Sequence, residues 1–266
     1  MKATTVVSDP HQQISQYDKT RVAKQFGRAA QTYRAHDRLQ RLVAAELLQR
    51  LRPHSGLLLD IGCGPAHHAP TLAGYSERYM GVDIAPDMLA QAKTLFPAGQ
   101  WLLADMEQLP LSDNAVTTIF SNLAMQWGNN LAGLLNEWLR VVQPEGQILA
   151  STVLAGSMWP LGDCFAQLDG KPHHNQWYSA QQVRTELAQF AGRLALTEQC
   201  FVVRYPSVLA MLRELKGIGA NYTVRNAGGL YPRERFKQLE AAMEQYRTAA
   251  GELELHWQIG LIHSAK

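Results

Sequence analysis

Asp60 opens the segment Asp60-Ile61-Gly62-Cys63-Gly64-Pro65, directly after the apolar run Leu57-Leu58-Leu59. Glycine at positions 62 and 64 lets a ligand approach the backbone where a Cβ would block it. About 20 residues on, Tyr79-Met80-Gly81-Val82 ends in Asp83, where an acid accepts hydrogen bonds from both hydroxyls of a ribose. Asp105 follows Trp101-Leu102-Leu103 and has Met106 beside it, an acceptor and an apolar neighbour for an adenine amino group. Three acids at three successive strand ends are the chemistry to explain.

Two ligand classes compete for this arrangement. The nicotinamide fingerprint asks for glycines at the first, third and sixth loop positions and seats a pyrophosphate on the helix that follows. Here the sixth position is His67, with Pro65-Ala66 before it. An acid at the loop entry repels a pyrophosphate, since like charges oppose one another. Asp60 suits a cation better, such as the amino-acid end of S-adenosylmethionine, whose product would be S-adenosylhomocysteine. A nicotinamide-dependent oxidoreductase and a nucleotide-binding module without turnover stand as the alternatives.

The elements that must position these acids are visible in the periodicity. Residues 1–16 form a polar tail. Val22, Phe26, Ala29, Ala30 and Tyr33, then Leu39 to Leu51, recur at helical spacing, so residues 17–54 are expected to be helical. Strands are expected at 57–59, 79–82, 101–103, 115–120 and 147–153. Helices are expected between them at about 66–74, from Pro86 onward and at 130–142. Strands alternating with helices predict an α/β, Rossmann-like fold with a mostly parallel sheet and helices on both faces. Ligands then sit at the carboxyl ends of the strands. Residues 155–180, rich in Gly, Trp, His and Pro, are expected to be an irregular insertion. Helices near 180–190, 206–216 and 232–247 and strands near 194–204 and 253–262 complete the chain.

The 266 residues carry a net charge of +2, but Lys and Arg outnumber Asp and Glu ten to four over residues 1–54 and trail them three to nine over 55–150. A near-neutral total argues against general nucleic-acid binding, which needs a concentrated basic stripe. No apolar run is long enough for a bilayer and the polar start lacks a signal-peptide core, so no membrane association and a cytoplasmic location are expected. Cys63, Cys164 and Cys200 cannot make a disulfide framework. The adjacent pair His67-His68 lacks carboxylates at ligand spacing, so no metal is expected.

The pattern D-x-G-x-G, the acid after the second strand and Leu139-Arg140-Val141-Val142-Gln143-Pro144-Glu145-Gly146 resemble the class I methyltransferases over about residues 55–155. That resemblance implies a seven-stranded sheet with an antiparallel last strand and S-adenosylmethionine as cofactor. It implies a cofactor set of Asp60, Gly62, Cys63, Gly64, Asp83, Ile84, Met88, Asp105, Met106 and Asn122, with Arg140 a structural turn residue and Cys63 a small filler.

A narrower resemblance runs from about residue 20 to the C-terminus. Phe26-Gly27-Arg28-Ala29-Ala30-Gln31-Thr32-Tyr33 with His36, Leu39 and Gln40, then Ser121-Asn122-Leu123-Ala124-Met125-Gln126-Trp127, look like the malonyl-acyl-carrier-protein O-methyltransferases of biotin synthesis. Pro172-His173-His174-Asn175 and Leu215-Lys216-Gly217-Ile218-Gly219-Ala220 are similar too, whereas Ala66 and His67 stand where that family usually has Gly and a large aromatic. The resemblance implies methyl transfer to the free carboxylate of a malonyl thioester on acyl carrier protein or coenzyme A; another small acid or a quinone-type substrate is the alternative. It implies lid helices over 17–54, a methyltransferase domain over 55–266, and substrate-covering insertions at about 155–192 and 206–247. Tyr33, Gln126 and Trp127 are the candidates at the transfer point, and Tyr33, His36, His173, Asn175 and Lys216 those for holding substrate. The implied partner is an acidic carrier protein bound transiently. Lys19, Arg21, Lys24, Arg28, Arg34, Arg38 and Arg41, with Arg225, Arg233, Arg235 and Lys237, are its docking candidates.

Overall fold

The computed structural model describes residues 16–170, 173, 175–219 and 233–264. Pro172, His174, Ala220, Arg225 and all but the last residue of the expected tail lie outside them. Its centre is β1 (His54–Ile61), whose apolar residues alternate between two cores: Leu57, Leu59 and Ile61 on one side, Leu58 on the other. A strand buried on both faces must be apolar at every position, which explains the unbroken leucine run.

The remaining strands are β2 (Ser76–Asp83), β3 (Gln100–Leu103), β4 (Val116–Ser121), β5 (Val142–Val153), β6 (Leu194–Tyr205) and β7 (Leu253–Ser264). They form one seven-stranded sheet in the order β3-β2-β1-β4-β5-β7-β6, with β7 antiparallel to both neighbours. The direction of strand addition reverses between β1 and β4, the place where such sheets open a crevice. Register aligns the rim: Asp60 pairs with Gly81 and Asp83 with Leu103, so the three acids follow three adjacent strands.

On one face lie α2 (Arg38–Leu48), α3 (Ala69–Ala73), α4 (Pro86–Leu95), α6 (Leu161–Asp169), α8 (Val208–Gly217) and α9 (Arg233–Glu244). On the other lie α5 (Leu131–Val141) and α7 (Ala180–Ala188). Helix α5 is capped by Asn130, which accepts from Gly133 N at 3.0 Å, and buries Leu131, Leu134, Leu135 and Trp138. Capping of this kind is worth about 1 kcal/mol. Arg140, at its end, binds Glu137, Asp113 and the carbonyls of Leu109 and Leu111, the structural role expected of it.

Two expectations change. Helix α6 occupies the stretch expected to be irregular, because Leu161, Cys164, Phe165 and Leu168 repeat at helical spacing inside a Gly-, Pro- and His-rich context that masks them. The first helix is α1 (Lys19–Ala29), capped by Asp18, and it stops short of Tyr33. Tyr33 begins a separate 3-10 turn, Tyr33–Ala35, so its ring is aimed by a turn and not by a helical stripe.

Candidate active site

The loop after β1 makes a cradle. Gly62 N donates to Val82 O at 2.8 Å, binding the turn to the end of β2. Gly64 holds φ at +54° and faces open space where a Cβ would sit, so a ligand can lie against its backbone. Asp83 crosses to this loop, accepting from Gly64 N at 2.9 Å and from Ala85 N at 2.8 Å. Burial lifts its pKa to about 6 despite those donors. Asp60 accepts from the Tyr79 hydroxyl at 2.8 Å, and burial lifts it to about 7.

Three cavities meet above this rim. The first, about 670 Å³ including its mouth, is lined by Gly62, Gly64, Asp83, Ile84, Met88, Asp105, Met106 and Asn122, together with α1 residues. Lys19, Val22 and Phe26 of α1 form a wall that the sequence reading missed; the signal was the Asp18-Lys19 helix start. Lys19 binds Asp105 at 3.1 Å and also Glu107, fastening α1 across the rim. Asp105 therefore offers one oxygen to Lys19 and Glu107 N, and the other has no hydrogen bond among the described residues.

The second cavity is larger, about 1460 Å³, and mostly apolar. Its walls come from distant segments: Met158, Leu161, Phe165, Trp177, Leu212 and Trp257 among them. Gln126, His173, Asn175 and Lys216 line it, as expected. No carboxylate does so among the described residues, and Lys216 is exposed there without an ion pair. His173 Nε2 lies 2.8 Å from Asp169, and its ring packs on Phe165 at 4.5 Å.

Phe26, Tyr33, Leu123 and Trp127 line both cavities and so form the partition. Trp127 is clasped by Tyr17 at 5.2 Å and Phe26 at 5.1 Å between ring centroids. Leu123, at φ +53°, is held there by hydrogen bonds from its N–H to Ser151 Oγ and from Ser151 Oγ to Asn122 Oδ1, while Asn122 Nδ2 reaches Gln40 O. A non-glycine residue in this conformation persists only where its surroundings determine it, a pattern concentrated at functional sites. Burial and the carboxylates of Asp37 and Asp83 keep the Tyr33 hydroxyl protonated, and it has no hydrogen-bond partner among the described residues.

The third cavity is a recess behind the glycine loop, lined by Tyr33, Asp37, Asp60, Cys63, His67 and His68, among others. Asp60 and Cys63 face this recess and not the first cavity. Cys63 also fits the filler role: its Sγ would lie 2.9 Å from a Cβ on Gly81, and burial pushes its thiol up.

His36 lines none of the three cavities. Its ring seats on Gly217, where a Cβ would come within 2.1 Å of it, so packing on α8 holds this residue outside these three cavities. The basic residues also divide. Lys19, Arg38 and Arg41 are spent on Asp105, Glu214 and Asp37, whereas Lys24, Arg28 and Arg34 are exposed and without an ion pair among the described residues. Among the described residues no cluster of His, Cys, Asp and Glu suits a metal, and no helix is long and apolar enough to cross a membrane.

Comparison with known proteins agrees with this geometry. Residues 59–150 match a methyltransferase-domain family model. The fold is similar to that of the YcgJ protein of Bacillus subtilis (TM-score 0.58, 18% identity, 84% of this chain and 97% of that one). It is also similar to that of the [4+2]-cyclase SpnF (TM-score 0.51, 19% identity, 85% and 80%), so the architecture alone does not name a reaction. Sequence relatives narrow it. The malonyl-[acyl-carrier protein] O-methyltransferase of Serratia marcescens is 39% identical over 92% of this chain and 96% of its own length. That of Yersinia pestis is 36% identical over 92% of each. With glycine loop, acid rim and partition all inside the matched span, the chain belongs to the malonyl-[acyl-carrier protein] O-methyltransferase family.

Proposed function

We propose that the protein methylates the free carboxylate of a malonyl thioester, carried by acyl carrier protein or coenzyme A, using S-adenosylmethionine. The product is the methyl ester that starts pimeloyl synthesis for biotin, and the reaction takes place in the cytoplasm. The observation that carries this reading is the partition: one wall separates a cavity edged by Asp83 and Asp105 from a mostly apolar chamber that has a cation and, among the described residues, no carboxylate.

The residues present fit the cofactor. Asp83 faces the first cavity as a ribose-diol acceptor, Ile84 and Met88 supply apolar faces for an adenine, Asp105 supplies an acceptor, and Gly64 leaves the cradle open. Bound there, the cofactor supplies an electrophilic methyl on a sulfonium. The protein's own residues do the rest by placement. A malonyl carboxylate is ionised at neutral pH, so no general base is needed. Tyr33, protonated and aimed at the partition, donates a hydrogen bond that holds the carboxylate in line, catalysis by proximity and orientation. Trp127 and Leu123 exclude water, which favours a step that consumes opposite charges. Gln126 spends its Nε2 on Leu123 O at 2.6 Å and leaves Oε1 buried and unpaired, an acceptor suited to an amide N–H of the pantetheine arm. Lys216, at the rim of the chamber, matches the phosphate of that arm. Helix α1, with the 17–54 segment it begins, acts as a lid, and the insertions expected at about 155–192 and 206–247, whose described residues supply Met158, Phe165, Trp177, Leu212 and Lys216 to the chamber, act as the substrate cover. Lys24, Arg28 and Arg34 face the acidic carrier.

Incubation with S-adenosylmethionine and malonyl-carrier protein, followed by intact-mass analysis, tests the proposal. One added methylene mass, removed by mild base, is expected. An unchanged mass at saturating cofactor, or a base-stable methyl group, would overturn it.

A further inference from the structure

The recess behind the glycine loop holds polar groups that the transfer does not use. Asp37 is 1% exposed and is ion-paired with Arg41 Nε at 3.0 Å and with Nδ1 of His67. The other ring nitrogen of His67, Nε2, is buried and has no partner among the described residues. A buried polar atom left unpaired is costly, so a well-built recess with such an atom implies a ligand atom opposite it. Across the same recess stands Asp60, with one oxygen spent on the Tyr79 hydroxyl. Gly62, Gly64, Tyr33 and Asn122 line both the recess and the first cavity, so a single ligand can extend through both.

Charge decides what that extension is. Asp37 holds Nδ1 of His67, and a protonated imidazole carries a second N–H on Nε2. Asp37 is already matched by Arg41, and a carboxylate placed at Nε2 would set the imidazole between two carboxylates, the arrangement in which both ring nitrogens donate. The groups facing His67 are Asp37 and, through it, Arg41; Tyr33, with its ring 6.2 Å away; His68, at 6.5 Å; and Asp60 and Cys63 across the recess. Burial and its neighbour His67 hold His68 below the ordinary imidazole range. One wall thus carries the Asp60 carboxyl group and the other His67, backed by Asp37 and Arg41. Ala66, buried at φ +58° and bonded through its N–H to Cys63 O at 3.0 Å, fixes the turn that aims His67.

We infer that His67, positioned by Asp37, binds the α-carboxylate of the cofactor's amino-acid end, while Asp60 takes its α-ammonium. The inference rests on the cofactor reading above and assigns to this chain's own histidine a cofactor-binding role.

Titration calorimetry with two nucleosides tests it. S-adenosylhomocysteine has the amino-acid end; 5′-methylthioadenosine keeps the adenosine and sulfur and lacks it. His67→Phe should weaken S-adenosylhomocysteine about tenfold, the loss of one hydrogen bond to a carboxylate, and leave 5′-methylthioadenosine within about twofold. His67→Gln, which keeps a neutral donor, should fall between. Retained 5′-methylthioadenosine binding shows in the same experiment that each variant is folded. Unchanged S-adenosylhomocysteine affinity or equal weakening of both ligands would overturn the assignment. Wild-type protein that binds neither nucleoside would overturn the cofactor reading, and this inference with it.

Discussion

The two cavities that share the Tyr33–Trp127 partition are built by opposite means. The first rests on the carboxyl ends of β1, β2 and β3, where strand register brings Asp83 and Asp105 to its edge and leaves Asp60 in the recess behind the glycine loop. The second has no such rim. Its walls are gathered from β5, α6, α8 and β7 and from loops between them, and they are largely apolar. Rigid strands suit a site that must fix a charged nucleoside, while packed helices and loops suit a chamber that takes a long flexible arm. The difference implies separable failures: changes at the rim should alter cofactor affinity, and changes in the chamber should alter turnover or substrate affinity.

The largest expected effect is at the rim. Asp83→Ala should cost about 1–3 kcal/mol of cofactor binding by leaving the ribose hydroxyls unpaired, with the substrate KM at saturating cofactor unchanged. Titration calorimetry checks this, and unaltered cofactor affinity would remove Asp83 from the role. At the partition, Tyr33→Phe should lower kcat about tenfold, roughly 1.4 kcal/mol, with cofactor affinity kept. Equal loss of both would mean that Tyr33 is packing and not positioning.

A smaller effect separates the two regions by pH. Asp60 at about 7 and Asp83 at about 6 bind their protons more tightly folded than unfolded. Their contribution to stability is therefore present at low pH and is lost as pH rises through about 6 to 7. The ligand-free protein should lose several degrees of Tm between about pH 5 and pH 8, and Asp60→Asn should flatten that slope. A flat wild-type profile would contradict the burial of charge at the rim. Smallest is Lys216→Ala, an exposed cation, which should raise substrate KM about two- to threefold at low salt and hardly at all at high salt. Thioester KM measured at two ionic strengths decides it.

The same contrast explains what was legible in the sequence. Asp60, Gly62 and Gly64 lie within five consecutive residues, and Asp83 and Asp105 each end an apolar run, so the rim follows from local pattern and the parallel register. The chamber depends on long-range assembly. Val153, Phe165, Leu212 and Trp257 carry no mutual signal in the text, and the helix holding Leu161 and Phe165 is masked by its flanking Gly and Pro. Tyr33 and His36 are three residues apart and were expected to share a site. A 3-10 turn sends one to the partition, and close packing on Gly217 keeps the other away from it.

The most direct test of the account is a crystal structure with S-adenosylhomocysteine and a malonyl thioester bound together. The malonyl carboxylate should lie at the Tyr33–Trp127 partition, one oxygen on the Tyr33 hydroxyl and about 3–3.5 Å from the position the transferred methyl would occupy. A carboxylate held at the Lys216 end of the chamber, with the thioester toward the sulfur, would contradict it.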